Sequence, residues 1–215
     1  MRRVLIGLGA AASAGLIAGS LTHRLPMDVT EVLGLVTGAV SVWLTVEERV
    51  WNWPVGIANS VLYLAVFFQA RLFADAGLQV VYVVLGFLGW YWWLRGGAGR
   101  TELPVSRTGP LHAPALGAVL VAGTWGMTLF LAGVHDSAPF LDALTTVLSL
   151  IAQYLLTRKL LENWLVWIAA DVLYVGLYLS RGLGLTAALY AIFLTMSVVG
   201  LVQWRRTLAL RSAHA

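Results

Sequence analysis

The chain has 215 residues, 60% of them hydrophobic and 11% charged, with no cysteine and a formal net charge of +4. A soluble domain of average make-up is about 25% charged, so this composition excludes a disordered chain, a disulfide scaffold and nearly every soluble enzyme. A mean hydropathy of +0.82 points to the bilayer.

Eight apolar segments are predicted as membrane-spanning helices: 4–21, 31–46, 54–70, 76–94, 113–133, 140–157, 164–180 and 184–204. At about 20 residues per span they leave little chain for loops and none for a separate soluble domain. The first segment follows Arg2-Arg3 and ends near Ala18-Gly19-Ser20. It is read as a retained helix, although the same features fit a signal peptide. Both readings leave residue 24 outside.

With the N-terminus placed in the cytoplasm, one side receives Arg2, Arg3, Arg49, Arg95, Arg100, Arg107, Arg158, Lys159, Arg205, Arg206 and Arg211. The other receives Arg24, Arg71 and Arg181. Eleven against three is a positive-inside bias, so the basic balance reports orientation and implies no nucleic-acid partner. Both termini are expected in the cytoplasm, and the 13 to 1 ratio of Arg to Lys fits a GC-rich bacterial genome. The expected place is a bacterial inner membrane, as a multi-pass protein. His23, His112, His135 and His214 are scattered through loops and tails, so no metal site is expected.

A shift of 111 residues aligns 31–95 with 142–206. Asn52-Trp53 falls on Asn163-Trp164, Val61-Leu62-Tyr63 on Val172-Leu173-Tyr174, and Leu72, Gly89, Trp93 and Arg95 on Leu183, Gly200, Trp204 and Arg206. Each copy holds three spans. Three is odd, so the segment 113–133 between the copies restores a parallel orientation. The expected fold is an all-α membrane protein of eight transmembrane helices, 1+(3+1+3), with two parallel three-helix repeats joined by a linker helix. Its parts are a transmembrane helix (1–26), repeat 1 (27–96), a loop and linker helix (97–136), repeat 2 (137–207) and a cytoplasmic tail (208–215). Parallel repeats about an axis along the membrane normal form a transporter plan, with the ligand site near mid-membrane. A duplicated, non-transporting scaffold is the plainer reading.

Asp171 is the one ionisable residue deep within a predicted span, about 10–12 Å from the helix start. It reads as a ligand for a substrate hydroxyl or amide, as a proton site, or as a structural bond to a neighbouring helix. Trp164, Trp167, Asp171, Tyr174 and Tyr178 are spaced 3, 4, 3, 4 and share one helix face. Aromatic faces around an acid suit a flat polar ring, and a cationic ring gains further. The competing readings are packing and, for Trp164, an interfacial belt. The matching face in repeat 1 carries Trp53, Gly56, Ser60, Tyr63 and Phe67, with Asn59 beside it and Gln79 early in the next span. Gln153 and Gln203, nearer the ends, count for less. Trp90, Trp92, Trp93 and Trp204 close their helices and read mostly as belt anchors. No nucleotide-binding loop or hydrolase motif occurs, and an integral-membrane enzyme would need catalytic groups clustered around Asp171.

The pattern resembles a known family. Trp51-Asn52-Trp53-Pro54-Val55-Gly56 with Asn59 and Tyr63, then Leu72-Phe73-Ala74-Asp75 with Leu78-Gln79, then Gly89-Trp90-Tyr91, resemble the first half of the PnuC nicotinamide riboside transporters. Glu162-Asn163-Trp164-Leu165-Val166-Trp167 with Asp171 and Tyr178, then Thr186, Leu189-Tyr190 and Trp204, resemble the second half. Phe73 stands where Tyr is as often expected.

The resemblance implies a fold related to the SWEET sugar transporters and facilitated diffusion of nicotinamide riboside, with no cofactor. A cytoplasmic kinase would phosphorylate and trap the product. On this reading Trp164 and Trp167 line the ring, Asp171, Asn59 and Gln79 hold amide or ribose groups, and Tyr63, Tyr174 and Tyr178 shape the cavity. The family also contains thiamine and riboflavin carriers, which these motifs do not separate. The expected partners are the vitamin, the lipid bilayer, the kinase through its product, and a second copy in a homo-oligomer.

Overall fold

The computed structural model describes residues 29–71, 73–134, 138–182 and 184–213. Seven α-helices lie within them: α1 (Val29–Val46), α2 (Asn52–Gln69), α3 (Phe73–Arg95), α4 (His112–Gly133), α5 (Pro139–Thr157), α6 (Asn163–Ser180) and α7 (Gly184–Ser212). They coincide with the last seven apolar segments; the first, 4–21, lies outside the described residues. Among the described residues there is no strand, only an isolated bridge between Ser106 and Leu160. Helices α3 to α7 are long and apolar enough to cross a membrane. Helix α2 carries Asn52, Asn59 and Gln69, whose amides lower its hydropathy, and the apolar stretch of α1 is the shorter Val32–Val46.

Local chemistry sets several helix ends. Pro139 opens α5, where a missing N–H costs little. The turns after α1 and α5 are closed by one residue each in the left-handed region, Glu48 (φ 56°) and Lys159 (φ 54°). Around them the same bonds recur: Glu48 N–H to Thr45 O and Arg49 N–H to Leu44 O, then Lys159 N–H to Leu156 O and Leu160 N–H to Leu155 O. Helix α7 runs on to Ser212 through the first five residues of the expected tail. No proline or glycine interrupts 201–213, Thr207 bonds Glu48, and Leu208 packs on the core.

Helix α1 packs on α2 and α2 on α3; α5 packs on α6 and α6 on α7. The two triplets meet where α1 lies against α7 and α3 against α5, and α4 rests on α5. Exchanging the triplets leaves this pattern unchanged, and the side chains repeat it at the 111-residue interval. Trp53 meets Trp93 edge-on at 5.5 Å and 88°, and Trp164 meets Trp204 at 5.4 Å and 86°. The Trp93 indole donates to Leu156 O (3.0 Å) and Trp204 to Thr45 O (3.2 Å), each reaching into the opposite triplet. Trp93 and Trp204 themselves are 6.0 Å apart.

These four indoles, with Val46, Val105, Leu156 and Leu161, make the core cluster at one end of the bundle. The belt reading is thereby corrected for Trp93 and Trp204, which are 3% and 0% exposed, and the belt alternative for Trp164 falls with it at 1%. Helix ends that converge bury what isolated ends would present to the interface. Gly200 makes the packing possible: a Cβ there would come within 2.5 Å of the Trp164 ring, and Gly89 faces Trp53 in the same way. The segment after α3 straps this end. Leu103 N–H bonds Trp93 O, Leu161 N–H bonds Ser106 O, and Thr108 donates from N–H and Oγ1 to Glu162 Oε2, both at 2.8 Å.

Candidate functional site

A cavity of about 480 Å³ opens between the two triplets, within the size range of small-molecule sites. Its sealed end is the tryptophan cluster, reached through Thr45, Asn52, Trp53, Leu156 and Trp164. Toward the opposite end it runs past Tyr178 and Phe67 to the exposed Asp75.

Helix α6 supplies Trp164, Trp167, Asp171, Tyr174 and Tyr178, so the 3, 4, 3, 4 spacing does put one face of α6 along the cavity. Asp171 is 5% exposed, and Ser197 Oγ of α7 donates to its Oδ2 at 3.1 Å. Tyr174, Tyr178 and Tyr190 form an aromatic wall, with Tyr190 centred 4.5 Å from Tyr174 and 5.3 Å from Tyr178, and Phe193 edge-on to Tyr190.

The first triplet contributes a different surface. Asn59 donates from Nδ2 to Gly34 O (2.7 Å) and Thr37 Oγ1 (2.8 Å), which leaves its carboxamide oxygen for the cavity. Ser60 lines the wall where α6 has Asp171, Gly56 where it has Trp167, and Gln79 and Tyr82 where α7 has Tyr190 and Phe193. Bulk and negative charge thus gather on the second triplet, and amides and open space on the first. Asp75 and Asp171 are the charged residues in the wall, which contains no Lys, Arg or His among the described residues.

Seven of the eight expected site residues therefore lie around one cavity: Asn59, Gln79, Trp164, Trp167, Asp171, Tyr174 and Tyr178. Tyr63 stands one layer behind, stacked on the lining Phe67 at 5.7 Å and packed against Gly34. Trp164 reaches the cavity from within the core rather than as a free platform. Gln153, discounted in the sequence, lines the wall, as do Ser41, Ser149 and Ser197. Serines in apolar helices leave no sequence signal, because their hydroxyls bond their own backbone as readily as a ligand. Tyr190 and Phe193 were accessible through the repeat, as counterparts of Gln79 and Tyr82.

A bundle of apolar helices that walls off a polar, aromatic cavity between two similar triplets is the form of a small-molecule membrane transporter. Sequence comparison makes the class specific: the chain belongs to the nicotinamide mononucleotide transporter family, whose profile matches residues 28–206. It is a transporter of the PnuC type and not an enzyme. Over 211 residues it is 28% identical to the nicotinamide riboside transporter PnuC of Escherichia coli K12, covering 86% of this chain and 88% of that one. Over 184 residues it is 27% identical to the riboflavin/roseoflavin transporter RibM of Streptomyces davaonensis, covering 81% and 84%. The fold matches the crystal structure of the vitamin B3 transporter PnuC with a TM-score of 0.69 at 23% identity, over 93% of this chain and 91% of that one. Membership of a transporter family displaces the scaffold reading.

Proposed function

We propose that this protein carries nicotinamide riboside across a bacterial inner membrane by facilitated diffusion, with a cytoplasmic kinase consuming the product. The observation that carries the cargo is the charge of the cavity wall: two carboxylates, Asp75 and Asp171, and no basic side chain among the described lining residues. A nicotinamide nucleoside is a pyridinium cation. It gains from a carboxylate and from aromatic faces, which Asp171, Trp167 and the tyrosine wall offer. A mononucleotide adds a phosphate that calls for Arg or Lys donors, and the wall supplies none. The names of the PnuC relatives point the same way.

In this reading Trp167 stacks on the pyridinium ring, with Trp164 backing it. Asp171 with Ser197 meets the charge or a ribose hydroxyl, and Asn59 and Gln79 take the carboxamide and the remaining hydroxyls. Tyr174 and Tyr178 shape the wall, and Tyr63 supports it through Phe67. Transport follows from rocking of α1–α3 against α5–α7, two parallel three-helix repeats joined by α4. The basic residues at the tryptophan end support a cytoplasmic position for that end and for both termini.

Riboflavin is the second reading, favoured by the similarity to RibM; its ring is neutral and leaves Asp171 without a cationic partner. Thiamine is a cation and fits the charge of the wall as well. Competition binding on purified protein separates them. Nicotinamide riboside is expected to displace labelled ligand at the lowest concentration, and nicotinamide mononucleotide to fail. Stronger displacement by riboflavin or by the mononucleotide overturns the assignment.

A further inference from the structure

At the tip of each triplet's first turn stands one charged residue in left-handed backbone, Glu48 and Lys159, and the two positions are 111 residues apart. They face each other across the join: Lys159 Nζ lies 3.3 Å from Glu48 Oε2. Glu48 Oε1 also accepts from Thr207 Oγ1 of α7 at 2.8 Å. The Lys159 ammonium sits 4.5 Å from the centre of the Trp93 ring. It is 5% exposed, and burial pushes its pKa below the usual lysine range while Glu48 opposes that shift. The ion pair and the reciprocal Trp93 and Trp204 hydrogen bonds join the triplets at one end of the cavity.

Just behind this pair lies a layer of polar atoms with no hydrogen-bond partner among the described residues. They are Asn52 Oδ1 and Trp53 Nε1 on α2, and their counterparts Asn163 Oδ1 and Trp164 Nε1 on α6. Their residues are between 0% and 3% exposed. Two acceptors and two donors, in identical residues at equivalent places, are costly to bury unpaired. A packing layer would be cheaper with apolar groups. Asn52, Trp53 and Trp164 also border the cavity.

We propose that the tryptophan end is a gate latched by Glu48 and Lys159, and that the Asn52–Trp53 and Asn163–Trp164 pairs line the path it opens. With the latch closed, the indoles seal the cavity. When the triplets part at this end, the four polar atoms reach water and offer the passing ligand a ring of two donors and two acceptors. The inference rests on the alternating-access reading above, but not on the cargo.

The test uses the full-length protein in vesicles. Because the chain has no cysteine, a single reporter at the cavity-lining Ser60→Cys can be followed alone with a membrane-impermeant maleimide supplied on the Lys159 side. Ser212→Cys, on exposed helix at that end, identifies the side. Glu48→Lys and Lys159→Glu each set like charges face to face and are expected to raise the labelling rate about tenfold by populating the open gate. The double variant Glu48→Lys/Lys159→Glu restores the pair and is expected to return the rate close to that of the parent. Unchanged labelling in the single variants, or a double variant as reactive as they are, overturns the latch. If the reversals fail to insert, Glu48→Gln, which keeps the Thr207 bond, is expected to give about a threefold rise, and no rise there overturns the proposal equally. Labelling needs no ligand, so a wrong cargo leaves this result intact, and a failed latch leaves the cargo assignment intact.

Discussion

Ser197 Oγ donates to Asp171 Oδ2 at 3.1 Å, joining α7 to α6 in the cavity wall and fixing one carboxylate oxygen. Asp171→Asn keeps the volume and can still accept from Ser197, so it isolates the charge. For a cationic ligand, affinity is expected to fall about tenfold to a hundredfold. Ser197→Ala removes only the orienting bond and is expected to cost about 1 kcal/mol, roughly fivefold in affinity. Calorimetric titration of the purified variants with nicotinamide riboside checks both. An unchanged affinity in Asp171→Asn removes this residue from the site.

The two tryptophans of the Trp164–Trp167 pair have separate tasks. Trp164 is 1% exposed, edge-on to Trp204 and pressed against Gly200. Trp167 is half-buried in the cavity wall. Trp164→Ala is expected to lower stability by about 3–5 kcal/mol. Trp167→Ala is expected to leave the melting temperature near that of the parent and to weaken binding roughly fivefold to tenfold through lost stacking. Thermal unfolding and titration, run on the same two variants, should give opposite orders of severity.

Gly200 and Gly89 lie directly under the indoles of Trp164 and Trp53. At Gly200 a Cβ meets the rigid Trp164 ring, so Gly200→Ala is expected to destabilise by about 1–3 kcal/mol, and Gly89→Ala likewise against Trp53. Gly126 and Gly176 have open space where a Cβ would stand. Alanine at either is expected to leave the melting temperature unchanged or slightly higher. Thermal unfolding of the four variants in detergent decides the point; equal effects at all four positions contradict the packing.

Much of this was legible in the sequence because a bilayer simplifies the code. Apolar runs marked seven described helices, and Asn-Trp, Tyr and Arg matches marked the 111-residue interval. The spacing of Trp164, Trp167, Asp171, Tyr174 and Tyr178 was enough to put them on one wall. What stayed hidden depends on how the halves meet. Trp93 and Trp204 look like interfacial anchors until the triplets converge and bury them. Tyr63 shares the repeat position of Tyr174, yet it sits behind Phe67. The serines at 41, 149 and 197 have no pattern of their own. Nothing in the spacing announced that Glu48 and Lys159, on the turns after α1 and α5, would meet as an ion pair.

Facilitated diffusion is measured by uptake of labelled nicotinamide riboside into proteoliposomes holding the purified protein, with no ATP and no ion gradient. Label is expected to equilibrate to equal concentration on both sides, a proton gradient to leave the end point unchanged, and Asp171→Asn to slow the approach to it. Absence of uptake, or accumulation above the external concentration driven by a proton gradient, would rule out facilitated diffusion of this cargo.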